Sequence, residues 1–214
     1  MNAKEKIARR VALELKDGQL INLGIGLPTL VANYLPEGVE VTFQSENGMV
    51  GLIGLDENQD VNPTITNAGG APVGINSYGA FFDSSYSFAL IRGGHVDATV
   101  LGTLEVDQQG NIANYMIPGK LVPGMGGAMD LVTGAKKVIV SMVHTSKGKP
   151  KILKECTLPL TGTKCVDMIV TEIAVFEVKD NYLLLTEVAE ESSVEEIISL
   201  TEAEVKVAET LKTF

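Results

Sequence analysis

The 214-residue chain has no tryptophan, two cysteines and two histidines, and only 5% of it is aromatic. Basic residues are outnumbered as well: 17 Lys and Arg stand against 27 Asp and Glu, for a net charge of −10. Nucleic acids attract clusters of Lys and Arg and stack their bases on aromatic rings. A chain this acidic, with no basic tail and no aromatic series, is not expected to bind them. Cys156 and Cys165 are nine positions apart and His95 and His144 far apart, spacings that fit no zinc knuckle, so no metal is expected. The cysteines read as reduced core residues of a cytoplasmic protein. Met1–Gly18 interleaves Lys4, Glu5, Lys6, Arg9, Arg10 and Glu14 with apolar residues and has no signal-peptide core. The long uncharged stretches, Gly18–Pro36 and Val61–Phe82, are interrupted by prolines, asparagines and glycines. Neither suits the ~20 apolar residues of a membrane span.

Common catalytic signatures are missing too. Gly74–Gly79 places its serine one position too late for a G-x-S-x-G elbow, and no G-x-x-x-x-G-K-[ST] loop is present. Gly24-Ile25-Gly26 begins like a dinucleotide fingerprint, but Thr29 occupies the sixth position.

What the chain does have is glycine, 22 residues of it, clustered at Gly24/Gly26, Gly69/Gly70, Gly93/Gly94 and Gly124/Gly126/Gly127. Glycine lets a backbone approach a ligand closely, so a site built from main-chain amides is expected. Ile7, Val11 and Leu15 recur at helical spacing, and Gly18 reads as the helix stop. Leu20–Leu23 reads as a buried strand, followed by a helix opened by Pro28-Thr29. A second strand alternates through Val39, Val41 and Phe43 to Ser45. Ser84 or Ser85 is expected to cap a helix to Arg92, with strands over Val96–Leu101 and Lys137–Val143 and a helix over Gly127–Thr133 between them. Glu105–Asn114 reads as a two-stranded excursion. Val166–Val170, Ala174–Val178 and Tyr182–Thr186 read as a more antiparallel last third, before a helix over Val194–Leu200 capped by Ser192 or Ser193. The pattern predicts one α/β domain over 1–214, with a mostly parallel open sheet flanked by helices.

Glu46 stands out. It follows an apolar strand, precedes the turn-forming pair Asn47-Gly48, and is the only charged residue between Glu40 and Asp56. In open α/β sheets, sites gather at the carboxyl ends of strands. A carboxylate in uncharged, glycine-rich surroundings is poorly solvated and therefore a better nucleophile than in water. As a residue type in that context, Glu46 also fits an exposed turn.

Phe43-Gln44-Ser45-Glu46-Asn47-Gly48-Met49-Val50-Gly51 resembles the Ser-Glu-Asn-Gly signature of the class I coenzyme A transferases, specifically that of their β-type subunits. Asn22–Gly26, Asn67-Ala68-Gly69, Ile91–Asp97, Gly124–Asp130 and Cys156–Gly162 match further family blocks in family order, covering Asn22 to Val178. The resemblance implies the CoA-transferase fold, a nucleophilic glutamate at Glu46 and a backbone oxyanion donor at Gly127 with Gly126 adjacent. It puts coenzyme contacts at Asn22, Gly24, Gly26, Asn47, Gly69 and Gly70. Some relatives carry a lysine after Asn-Ala-Gly where this chain has Gly70, so any contact there must be made by backbone or from elsewhere; Met49 replaces the usual branched or aromatic residue. An α subunit is implied as partner, in a heterodimer or α2β2 assembly. Coenzyme A would be a co-substrate, not a resident cofactor, with acetoacetate and butyrate, acetate or succinate as candidate acids. A non-catalytic acyl-CoA or carboxylate binding module with the same fold is the alternative. A sugar-phosphate isomerase would need basic residues that these glycine loops lack.

Overall fold

The computed structural model describes residues 1–55, 61–120, 122 and 124–214. Helix α1 (Ala3–Ala12) is opened by a capping box: Asn2 accepts the Glu5 amide, and the Glu5 carboxylate accepts the Asn2 amide. Its apolar face, Ile7, Ala8, Val11 and Ala12, is fully buried. The helix ends at Ala12, well before Gly18, which turns the chain into the sheet with its amide donating to the Glu40 carbonyl at 2.8 Å. Strand β1 (Leu20–Leu23) leads to a 3-10 helix over Leu27–Tyr34 and then β2 (Thr42–Ser45), shorter than the alternation from Val39 predicts. Strands β3 (Met49–Ile53) and β4 (Gly74–Phe81) continue the sheet outward.

Helix α2 (Ser84–Arg92) is capped by Asp83, not Ser84 or Ser85: the Asp83 carboxylate accepts the Tyr86 amide at 2.9 Å. Next come β5 (Ala98–Leu101), the antiparallel pair β6 (Glu105–Asp107) and β7 (Ile112–Ala113), α3 (Ala128–Gly134) and β8 (Val138–Ser141). A short hairpin, β9 (Thr145–Ser146) with β10 (Lys149–Pro150), precedes β11 (Ile152–Leu153), which joins β6. The chain ends through β12 (Met168–Val170), β13 (Ala174–Lys179), β14 (Tyr182–Val188), α4 (Val194–Ser199, capped by Ser193) and β15 (Val205–Thr213).

Ten strands form the main sheet in the order β15-β14-β13-β12-β8-β5-β1-β2-β3-β4. The centre, β12-β8-β5-β1-β2, is parallel throughout. Its Val- and Ile-rich strands β5, β8 and β12 are buried along their whole length, as strands covered on both faces must be. One face packs on α1 and the 3-10 helix through Ile7, Val11, Ile21, Val31, Ile139 and Val170. The other packs on α2, α3 and α4 through Ile91, Leu131, Phe176 and Ile197. No helix among the described residues is long and apolar enough to cross a membrane.

From β1 the chain steps to β2 on one side; after β4 it returns across the sheet to β5 on the other side of β1. Such a reversal opens a crevice at the carboxyl ends of the strands. Gly24, Glu46 and Gly102 directly follow β1, β2 and β5 there.

Candidate active site

Parallel pairing sets Asn22 of β1 between Gln44 of β2 and Thr99 of β5. All three are polar, and all three are buried in the middle of the sheet. Buried amides must find partners, and these find one another. The Asn22 Nδ2 donates to Gln44 Oε1 at 2.9 Å and to Glu46 Oε2 at 3.1 Å. Gln44 Nε2 donates to Ser87 Oγ of α2 at 2.8 Å; the Ser87 hydroxyl donates to the Ser45 carbonyl at 3.2 Å, and Thr99 Oγ1 to Asn22 Oδ1 at 3.4 Å. Gln44 and Glu46, two apart, lie on the same face of the extended chain. The half-buried Glu46 carboxylate is thus held by a neutral amide that is itself locked into a chain of uncharged hydrogen bonds.

On another side of Glu46 lies the start of α3. Gly127, its N-cap, is buried, and a Cβ built there would stand 3.2 Å from Glu46 Cγ and 3.2 Å from Phe88 Cζ. Only a residue without a side chain allows this approach at no cost. The N–H groups of Gly126 and Gly127 have no acceptor among the described residues. Gly126 has φ +51°, which a side chain would strain. The Arg92–Asp130 pair, 2.6 Å, ties the end of α2 to the first turn of α3.

Glu46 also opens on a cavity of about 630 Å³, bounded by Gly26, Gly69, Phe43, Leu52 and Val73 among others. The loop carrying Gly69 is shaped by Asn67, whose Oδ1 accepts the amides of Gly69 and Ala71, each at 3.0 Å. Ser45 Oγ accepts the Ala68 amide at 3.0 Å, anchoring this loop beside the nucleophile candidate. A Cβ on Gly69 would lie 3.1 Å from Ile25 Cγ1, so the two glycine loops abut.

The structure therefore gathers Glu46, Asn22, Gly127, Gly26 and Gly69 in one place. Other sequence-predicted residues have different employment. Gly24 faces β5: its amide donates to the Val100 carbonyl at 2.8 Å, and the space for a Cβ is occupied by Leu101. Asn47 Nδ2 is committed to the Thr66 carbonyl at 2.7 Å. Gly70 is exposed and outside the cavity wall, as is Gly126. His95 is exposed, and His144 is buried away from Glu46 between Thr171 and Thr201 hydroxyls, its pKa held down at about 4, chiefly by burial. Burial likewise pushes the Cys156 thiol up, and that of Cys165 to about 11, so neither is a ready nucleophile. Sequence reading passes over Gln44, Ser87 and Thr99. The available signal is a glutamine inside an apolar strand, two residues before a glutamate.

With the site in view, the class is defined: residues 4–200 match the family model described as "Coenzyme A transferase", and the chain belongs to that family, as a class I β-type subunit. It is 61% identical to the β subunit of the acetate CoA-transferase of Haemophilus influenzae, over 99% of this chain and 95% of that one. It is 50% identical to the corresponding subunit of the succinyl-CoA:3-ketoacid coenzyme A transferase of Helicobacter pylori (strain 26695), over 95% and 99% of the two chains. The crystal structure of the acyl-CoA transferase YdiF apoenzyme from Escherichia coli O157:H7 shares the fold with a TM-score of 0.79 at 23% identity; this chain spans 43% of that longer one.

Proposed function

We propose that this chain is the nucleophile-bearing β subunit of a cytoplasmic 3-oxoacid CoA-transferase, active with an α subunit in a heterodimer or α2β2 assembly. The observation that carries the reading is the setting of Glu46: a half-buried carboxylate at the end of β2, hydrogen-bonded by neutral Asn22, against the Gly127 backbone and open to a cavity.

The task is to move coenzyme A between carboxylic acids without losing the thioester to water. Glu46 attacks the acyl-CoA carbonyl, and the tetrahedral oxyanion collapses by expelling the CoA thiolate, leaving a mixed anhydride. The thiolate attacks the glutamyl carbonyl, the donor acid departs as carboxylate, and a glutamyl-CoA thioester remains. The acceptor carboxylate then attacks that thioester and the steps run in reverse, returning Glu46 as a free carboxylate. A serine would form an ester too stable to return its acyl group readily; a glutamate keeps every intermediate activated. The amides of Gly126 and Gly127, without an acceptor among the described residues, are the candidate oxyanion donors, each worth about 3 kcal/mol. Asn22 aims the carboxylate, while Gly26 and Gly69 leave the coenzyme room. The cycle uses coenzyme A as co-substrate and calls on no resident cofactor or metal.

Purified α and β chains, mixed with acetoacetyl-CoA and an acceptor acid, should turn over with ping-pong kinetics. The isolated intermediate should carry a hydroxylamine-sensitive CoA adduct on Glu46, found by peptide mass. Wild-type turnover in Glu46→Ala would refute the mechanism, and binding of acyl-CoA with no adduct would identify a binding module instead.

A further inference from the structure

The amide of Gly127 is only as well placed as the turn that carries it, and the sequence of that turn does little to fix it. Gly124 and Gly126 enter it at φ +87° and +51°, and helix α3 starts at Gly127 with no side-chain cap. A backbone hydrogen bond from the Ala128 amide to the Met125 carbonyl closes the turn at 3.0 Å, but glycine leaves the chain its greatest freedom on either side. The further restraint comes from α2. At the far end of α3 the two helices meet backbone to backbone, since a Cβ on Gly134 would run into the Ile91 carbonyl. At the near end they meet through side chains. The Phe88 ring stands 3.2 Å from the Cβ position of Gly127, and the Arg92 guanidinium lies over that ring, 5.7 Å from its centre. Arg92 Nε also donates to Asp130 Oδ1 at 2.6 Å. One guanidinium thus holds both the ring that abuts Gly127 and the first turn of the helix that Gly127 begins.

An ion pair in this position adds little to the stability of the fold. The Arg92 side chain is 66% exposed and that of Asp130 27%, and pairs so open to water are weak. Resting on the proposed reaction at Glu46, we infer that Arg92 and Asp130 are positioning residues of that reaction. Acting through Phe88 and the first turn of α3, they hold the Gly127 amide where the oxyanion develops. That charge exists in the transition state and not in the bound substrate, so slack in the amide weakens the transition state alone. Helix dipoles also favour a base at the end of α2 and an acid at the start of α3, but each of those contributions stands without the other residue. Positioning needs the two together.

The test uses the complete α–β complex with acetoacetyl-CoA as donor and acetate as acceptor. Arg92→Met and Asp130→Ala should each lower kcat roughly tenfold, part of the ~100-fold or more that loss of an oxyanion donor costs, and leave KM within about twofold. The double variant should be no slower than either single one, because the pair acts as a unit. Asp130→Asn, which keeps an acceptor for Arg92, should recover most of the rate, and all four variants should melt within about 4 °C of the wild type. Wild-type kcat in both single variants, losses that multiply in the double variant, a rise in KM in place of the fall in kcat, or a rate that drops only as the melting temperature drops would overturn the assignment. The rate of Glu46 adduct formation from acetoacetyl-CoA is read in the same samples and should slow with kcat. An adduct that forms in the variants as fast as in the wild type sinks only this inference, whereas no adduct in the wild type sinks the reaction on which it rests.

Discussion

Gly127→Ala perturbs the proposed site by a single methyl group. The added carbon would meet Glu46 Cγ at 3.2 Å on one side and the Phe88 ring at 3.2 and 3.3 Å on another. Ordinary carbon contacts begin near 3.4 Å, so one or both neighbours must yield a few tenths of an ångström. The backbone itself raises no objection, since Gly127 has φ −86°. Overpacking of this size costs about 1 kcal/mol of stability. Misplacing a reacting group by 1 Å costs about 100-fold, so on that scale a few tenths of an ångström at Glu46 should lower kcat roughly 3- to 10-fold. Adding Phe88→Leu relieves one contact and not the other: thermal stability should recover while kcat stays low. The measurements are a thermal melt, kcat of the α–β complex, and the rate of adduct formation at Glu46. Unchanged kcat and adduct rate in Gly127→Ala would show that this backbone does not border the reacting carboxylate. Gly126→Ala is the contrasting case, because nothing lies within 4 Å of its Cβ position. Its cost should be the backbone strain of φ +51°, about 1–2 kcal/mol, with no steric push on Glu46.

Gln44→Leu should leave Ser87 Oγ and Asn22 Nδ2 each short of a buried partner, destabilising by about 2–4 kcal/mol and lowering kcat by loosening Asn22; chemical denaturation and turnover read the two effects. Arg10 is buried, with Nε and Nη2 bonded to Glu187 at 2.6 and 2.7 Å and Nη2 to Glu14 at 2.8 Å, so Arg10→Met should cost about 3 kcal/mol in a urea melt by stranding Glu187, while Glu14 keeps Lys137 at 2.7 Å. Burial works to raise the Glu14 pKa, but hydrogen bonds from Lys137 and Arg10 overcome it and the net direction is down. That contribution is therefore present above Glu14's ordinary value near 4.5 and is lost as pH falls below it. His144 titrates at about 4 in the folded chain against 6.5 when free, so the unfolded state takes up the extra proton between those values. Stability should fall by about 3 kcal/mol as pH drops from 6.5 to 4, and His144→Gln, followed by thermal melts across that range, should flatten the slope.

The parts of the fold that burial dictates are legible in the sequence. Apolar runs such as Ala98–Leu101 and Val138–Ser141 admit few readings other than buried parallel strands, and Glu46 stands out because a strand ends beside it in uncharged surroundings. The β3–β4 pairing is not legible, because Gly51, Gly74 and Gly79 read as breakers. In the sheet they are points of close approach: a Cβ on Gly51 would meet Asn76 and the Gly79 backbone, and one on Gly79 would meet Ile75. β15 is ambiguous because it is an edge strand with most of its residues exposed, so alternation carries little signal. Helix α1 stops earlier than its pattern implies because Leu15 keeps the helical spacing and is buried, although the helix has already ended. The site is legible only in part, since a relay such as Thr99–Asn22–Gln44–Ser87 is made by strand order, which spacing along the sequence does not encode.

Among the described residues the side chain that donates to Glu46 is the uncharged Asn22, and that neutrality bears on rate in the proposed reaction. In the proposed reaction, attack by Glu46 converts a negative carboxylate into a neutral anhydride and then a neutral thioester, so its charge disappears along the way. A lysine in place of Asn22 would hold the free carboxylate with a charge-assisted bond of about 1.5–3 kcal/mol, against about 0.5–1.5 kcal/mol for a neutral amide. Most of that extra hold would be lost in each attack by Glu46, raising the barrier by about 1 kcal/mol, or roughly 5-fold in rate. Donors placed where the oxyanion develops act in the opposite sense, because their partner charge appears only in the transition state. A neutral amide on the nucleophile and backbone N–H groups opposite it satisfy both requirements. On the proposed reaction, this division of labour is the reason asparagine and glycine stand at positions where a catalytic site more often shows histidine, lysine or arginine.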